Sequence, residues 1–176
     1  MLFRMNKIIL ILFIFLLCVG CDQMTKFAAK NLMDPGSVTS LLGDSFRLQL
    51  VNNKGAFLGL GSSLPEEWRF WIFTVFVFIA LLILLIYYLF SKSLSLLSSF
   101  ALSLIISGGF SNLIDRILYK GIVIDFLNIG IGNLRTGIIN IADLAITSGV
   151  ILIAYSALIS IRDRDKYKLI KIFPNN

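Results

Sequence analysis

Residues 138–161 read IINIADLAITSGVILIAYSALISI, long and apolar enough to cross a bilayer, yet with a carboxylate, Asp143, inside. An ionisable group there is costly and marks a functional-site hypothesis by default. A helix begun at Ile138 would carry Asp143 roughly 7–8 Å below its start, at 1.5 Å per residue. A second acid, Asp125, lies just before the stretch in Val123-Ile124-Asp125-Phe126.

Three further apolar runs lie upstream, at Ile8–Val19, Phe70–Phe90 and Leu94–Ser111. A span takes about 20 residues, so helices are expected at about 7–22, 69–90, 94–112 and 138–161 of one domain, 1–176. The chain is 57% hydrophobic over 176 residues, so lipid is the expected solvent. The third run carries Ser95, Ser98, Ser99, Ser103 and Ser107 before Gly108-Gly109, a composition suited to close helix packing.

The net charge of +6 is unevenly placed. Arg4 and Lys7 precede the first run, Lys92 separates the second from the third, and Arg162, Arg164, Lys166, Lys168 and Lys171 follow the last. The positive-inside rule then puts both termini in the cytoplasm and segments 23–68 and 113–137 outside. The basic tail, interleaved with Asp163 and Asp165, reads as an anchor near anionic lipid rather than a nucleic-acid site. Outside, Asp34-Pro35-Gly36 is a turn, and Phe46-Arg47-Leu48-Gln49-Leu50 alternates like a strand before Asn52-Asn53-Lys54-Gly55 breaks it. Leu64-Pro65-Glu66-Glu67 opens the next helix. The second outer segment, punctuated by Gly121, Gly130, Gly132 and Gly137, reads as half strand, half loop. The fold class is membrane all-α with a small β element on the outer surface.

With no histidine, neither a Ser-His triad nor a Cys/His zinc site is available. Cys18 and Cys21 lie one turn apart in the first run and read as small apolar residues. In a rival reading, Arg4, Lys7, the apolar run and Val19-Gly20-Cys21-Asp22 resemble a lipoprotein signal peptide lipidated at Cys21. Against it, Cys18 stands where leucine is usual, and three spans would remain.

The polar residues fall into short clusters. Asp22 and Lys26 pair at i,i+4 if the first helix continues. Asn53 and Gly55 put an amide beside a flexible backbone. Asn112, Asp115 and Arg116 close the third helix, where Arg116 can pair with Asp115 or clamp an oxygen. Asn140 and Asp143 open the fourth at i,i+3; the structural alternative for Asp143 is a permanent pair with Arg116 or Lys26. Two carboxylates sharing one proton in low dielectric can hydrolyse an amide through water, without a covalent intermediate.

Five motifs in order resemble the bacterial lipoprotein signal peptidases, the type II signal peptidases: Asp22-Gln-Met-Thr-Lys26, Asn53-Lys-Gly-Ala-Phe57, Gly108-Gly-Phe-Ser-Asn112-Leu-Ile-Asp115-Arg116, Val123-Ile-Asp125-Phe126 and Asn140-Ile-Ala-Asp143. The resemblance implies a membrane aspartyl endopeptidase that cleaves prolipoproteins before the diacylglyceryl cysteine, with Asp125 and Asp143 as its catalytic pair. It implies that Asn53, Gly55, Asn112, Arg116 and Asn140 bind substrate or position the pair, and that Asp22, Lys26 and Asp115 support them. Its partners are lipid-modified prolipoproteins and membrane lipids; a monomer suffices, and no metal or cofactor is implied. Ser107 and Ser111 replace family glycines and Ile139 replaces a phenylalanine, departures expected to alter helix packing and substrate fit. The alternative is a transporter or assembly factor that uses Asp143 as a proton relay.

Overall fold

The computed structural model describes the backbone of residues 2–172 and the side chains of residues 6–57 and 59–162. The side chains of Arg4, Arg164, Lys166, Lys168 and Lys171, read above as topology anchors, lie outside the described residues. The elements are α1 (Leu2–Leu32), β1 (Thr39–Leu41), β2 (Phe46–Asn53), a 3-10 turn (Phe57–Gly59), α2 (Glu66–Arg69), a π-helical segment (Phe70–Phe76), α3 (Val77–Phe90), α4 (Leu96–Leu118), β3 (Val123–Ile131), β4 (Leu134–Arg135) and α5 (Ile141–Ile172). Among the described residues four helical stretches are long and apolar enough to cross a membrane: Asn6–Leu32, Glu66–Phe90, Leu96–Leu118 and Ile141–Arg162. The strands form one antiparallel sheet in the order β1-β2-β3-β4.

The expected spans hold, but their ends move, each for a physical reason. The first helix runs ten residues past Asp22 because partners on α4 satisfy Asp22, Gln23 and Lys26 inside the protein. It also passes through exposed Cys21 without a break. The second span starts at Glu66, behind Pro65. The third starts at Leu96, where the Ser95 side chain caps Ser98 N–H at 3.1 Å. It continues past Asn112 to Leu118 and closes with Lys120 at φ 53° and Gly121 N–H bonded to the Arg116 carbonyl at 2.7 Å, a Schellman end. The fourth begins at Ile141 rather than Ile138, because Ile139 is still paired with Leu127 of β3. Strand β2 includes Asn53, which the sequence assigns to a break.

Two kinds of packing hold the spans. Away from the sheet, Ile11, Tyr88, Leu102 and Ile106 form an apolar cluster, and the buried Tyr88 hydroxyl donates to the Lys7 carbonyl at 2.9 Å. Between α4 and α5 the backbones approach closely. A Cβ on Gly108 would sit 2.5 Å from the Ala142 carbonyl oxygen, and one on Gly149 2.6 Å from that of Ala101. Without a hydrophobic drive between helices in lipid, such small-residue contacts and buried hydrogen bonds supply the association.

Candidate active site

The site lies where the sheet meets the upper ends of α1, α4 and α5. Asp125 is buried on β3, and antiparallel pairing of Val51 with Asp125 and Asn53 with Val123 puts Asn53 diagonally across on the same face. Asn53 Nδ2 donates to Asp125 Oδ2 at 2.8 Å, and Asn53 Oδ1 accepts from Gly55 N–H at 2.9 Å. That Asx turn folds the loop back so tightly that a Cβ on Gly55 would meet the Leu60 carbonyl. The Gly55 carbonyl accepts from Arg116 Nη2 at 3.0 Å.

Asp143 stands in the first turn of α5, not deep in the span as a start at Ile138 would make it. Asn140 Oδ1 accepts from Asp143 N–H at 2.8 Å, while Asp143 Oδ2 accepts from Asn140 N–H at 3.3 Å. This is a capping box, so one local motif both starts the helix and aims the acid.

Two amides tie the acids together. Asn140 Nδ2 donates to Asp125 Oδ1 at 2.7 Å and to Asn112 Oδ1 at 3.0 Å. Asn112 Nδ2 donates to Asp143 Oδ1 at 2.8 Å. Lys26 Nζ also donates to Asn112 Oδ1, at 2.9 Å. An ammonium has only donors, so it fixes which end of the Asn112 amide faces Asp143.

Beneath this layer Lys26 is paired with Asp22 at 2.6 Å and Asp115 at 2.9 Å, all three buried. Asp22 also accepts from Ala142 N–H at 2.9 Å and from the Ser111 hydroxyl at 2.6 Å. Asp115 accepts from Ile124 N–H at 3.0 Å and Gln23 Nε2 at 2.9 Å. One lysine and two acids thus fasten α1, α4, β3 and α5 at one point. None of the three alternative pairings is among the ion pairs of the described residues: Asp115 goes to Lys26 rather than Arg116, and Asp143 pairs with neither Arg116 nor Lys26.

Asp22, Lys26, Asn53, Gly55, Asn112, Asp115, Arg116, Asp125, Asn140 and Asp143, the candidate site residues, all reach this region. Gln23 and Ser111 join them without having been assigned a role. Gln23 lies beside Asp22 within the first of the five motifs, and Ser111, at a family glycine position, donates its hydroxyl to Asp22.

A cavity of about 160 Å³, lined by Asn53, Phe57, Asn112, Arg116, Asp143 and Thr147, has room for several waters. A second, of about 350 Å³, lies against Asp125, and Asn53 lines both. Burial pushes the Asp125 carboxyl up to about 7, and the Asp143 charge adds to the rise while hydrogen bonds from Asn53 and Asn140 oppose it. Chemically, the arrangement offers two hydrogen-bonded carboxyls in a poorly solvated setting, beside space for water and an amide.

A family model described as signal peptidase (SPase) II matches residues 14–159. A protein of Burkholderia vietnamiensis (strain G4 / LMG 22486) named lipoprotein signal peptidase is 37% identical over 147 residues, covering 84% of this chain and 86% of that protein. One of the same name from Burkholderia mallei (strain SAVP1) is 36% identical over the same shares. A solved structure described as a bacterial membrane enzyme at 2.3 Å resolution superposes with a TM-score of 0.75 at 28% identity, over 90% of each chain. Another, at 1.9 Å, gives 0.67 at 27% identity, over 87% of this chain and 92% of that one. These similarities favour an enzyme over a transporter or assembly factor.

Proposed function

The chain belongs to the signal peptidase II family, and from that premise we propose that Asp125 and Asp143 make it an aspartic endopeptidase acting on diacylglyceryl-modified prolipoproteins. It is a multi-pass membrane peptidase that removes their signal peptides. The observation that carries the aspartic reading is the pair of acids joined through Asn140 and Asn112.

In this reading the pair shares one proton, held on Asp125, the acid with less exposed surface of the two. Asp143, accepting from Asn112 and from a helix N-terminus, takes a proton from water as the water oxygen attacks the scissile carbonyl. Asp125 gives its proton to the carbonyl oxygen. On collapse Asp143 protonates the leaving nitrogen, and Asp125 recovers a proton from the diol, which restores the starting state. Asn53, Gly55 and Arg116 hold the peptide, Asn112 and Asn140 aim the acids, and Asp22, Lys26 and Asp115 brace the helices that carry them. Substrate enters from the bilayer with its signal helix among the spans, so helix and lipid contacts position the amide.

Residues 1–176 work as one peptidase domain, sufficient as a monomer, in the bacterial plasma (inner) membrane. Both termini are cytoplasmic, and the site and sheet lie at the outer face. In support, Lys7 Nζ donates to the Ser91 carbonyl at 2.7 Å, so Lys7 and the Lys92 loop share the end away from the sheet, as the positive-inside rule requires. The test is to incubate the purified protein in detergent with a diacylglyceryl-modified prolipoprotein and its unlipidated form. Mass spectrometry should find a product beginning at the lipidated cysteine, from the modified substrate alone. An intact lipidated substrate would refute the reading.

A further inference from the structure

A second constellation lies outside the paired acids. Between the loop after β2, the head of the second span and the end of α4 is a cavity of about 910 Å³. Four cations line it, Lys54, Arg69, Arg116 and Lys120, against two acids, Glu66 and Glu67. Its membrane side is apolar: Phe70, Trp71 and Ile117 line it and are 51%, 60% and 68% exposed.

Two buried polar atoms on its lining residues, the Thr74 hydroxyl and Arg116 Nε, have no hydrogen-bond partner among the described residues. A threonine in a helix ordinarily turns its hydroxyl back to a carbonyl in the preceding turn. Thr74 lies instead in the π-helical segment, 91% buried, with no such bond. Segments of this kind concentrate at functional sites, and a buried donor left unpaired is unfavourable. The matching ligand has acceptor oxygens for Thr74 and Arg116, negative charge for the lysines and apolar chains for the aromatic wall. A free phosphate would leave that wall unused, and an uncharged diacylglycerol would leave the excess of four cations over Glu66 and Glu67 unmatched.

We infer that this cavity binds the headgroup of an anionic glycerophospholipid, its phosphate among Lys54, Arg116 and Lys120, its ester oxygens toward Thr74 and its chains along Phe70 and Trp71. The site shares Arg116 with the peptidase reading but is read by binding rather than cleavage, and its variants lie at Thr74, Lys120 and Lys54, so either can fail alone.

The test is native mass spectrometry of the full chain in lipid-free detergent, titrated with phosphatidylglycerol or with diacylglycerol of the same chains, with inorganic phosphate as competitor. Thr74→Val removes the hydroxyl at constant shape. Lys120→Asn removes a charge at a position whose φ of 53° asparagine tolerates. The parent should retain one phosphatidylglycerol at least tenfold more tightly than diacylglycerol, and millimolar phosphate should not displace it. Each variant should bind about tenfold more weakly, as expected for one charge-assisted or buried hydrogen bond. Lys54→Gln, on another element, gives the same reading if Thr74→Val does not fold. Equal binding of the two lipids, displacement by phosphate, or unchanged binding in the folded variants would overturn the assignment.

Discussion

Helices α3 and α4 are neighbours of similar apolar appearance, but they meet different surroundings. Along α3 the buried residues are Leu81 and Tyr88, while Phe78, Ile79, Leu82, Ile83, Ile86 and Phe90 face outward. Along α4 the buried set includes Ser99, Ser103, Ser107, Gly108, Gly109, Ser111, Asn112 and Asp115. In lipid the soluble pattern is inverted. Apolar side chains mark the outside, while small and polar ones mark protein contact and, at the upper end, chemistry.

The contrast predicts graded effects. Lys26→Met leaves Asp22 and Asp115 as buried carboxylates without their shared cation, and removing one partner of such a group costs about 3–5 kcal/mol. Thermal unfolding in detergent should show the largest drop of any single change outside the acids. A parent-like melting curve would break the comparison.

Gly108→Ala comes next. Its Cβ would press on the Ala142 carbonyl, backbone that cannot swing away. Overpacking costs about 1–3 kcal/mol, and because Ala142 adjoins Asp143, cleavage should fall as well. At Gly109 the added carbon meets the flexible Leu81 side chain instead, so Gly109→Ala should be milder; the reverse order would refute the close-packing account.

The pH dependence of stability is a subtler effect. The folded value for Asp125, about 7, exceeds its ordinary 3.8, so between these values the folded state keeps a proton that the unfolded state has lost. The stabilising contribution is complete below about pH 4, is lost as pH rises to 7 and changes no further above it. The difference in unfolding free energy between the parent and Asp125→Asn, followed from pH 4 to 8, should slope in that direction. A flat difference would place Asp125 in an ordinary solvated setting. The smallest effect belongs to α3: Ile83→Ala, at a position 62% exposed, should shift stability by about 0.5 kcal/mol or less.

Much of this was legible in the sequence because membrane constraints are severe. The four spans follow from apolar length, and the Asn140–Asp143 spacing already held both the capping box and the acid. What local reading misses is satisfaction from afar. Asp22, Gln23 and Lys26 look like the end of a helix, because nothing near them in sequence shows that Ser111, Asn112 and Asp115 will bond them. Ile138 and Ile139 look like helix, because their pairing with β3 depends on a fold not yet formed. Asn53 looks like a break, because the register that keeps it in β2 is set by residues some seventy positions away.

In the proposed mechanism two acids, joined through Asn140 and Asn112, perform the hydrolysis. The most direct measurement compares cleavage of diacylglyceryl-prolipoprotein by the parent, Asp125→Asn and Asp143→Asn, each verified as folded by its melting curve. Either substitution should lower the rate by about 10²–10⁴-fold or more, the range for loss of a positioned acid or base. Cleavage within a few fold of the parent in either folded variant would contradict it.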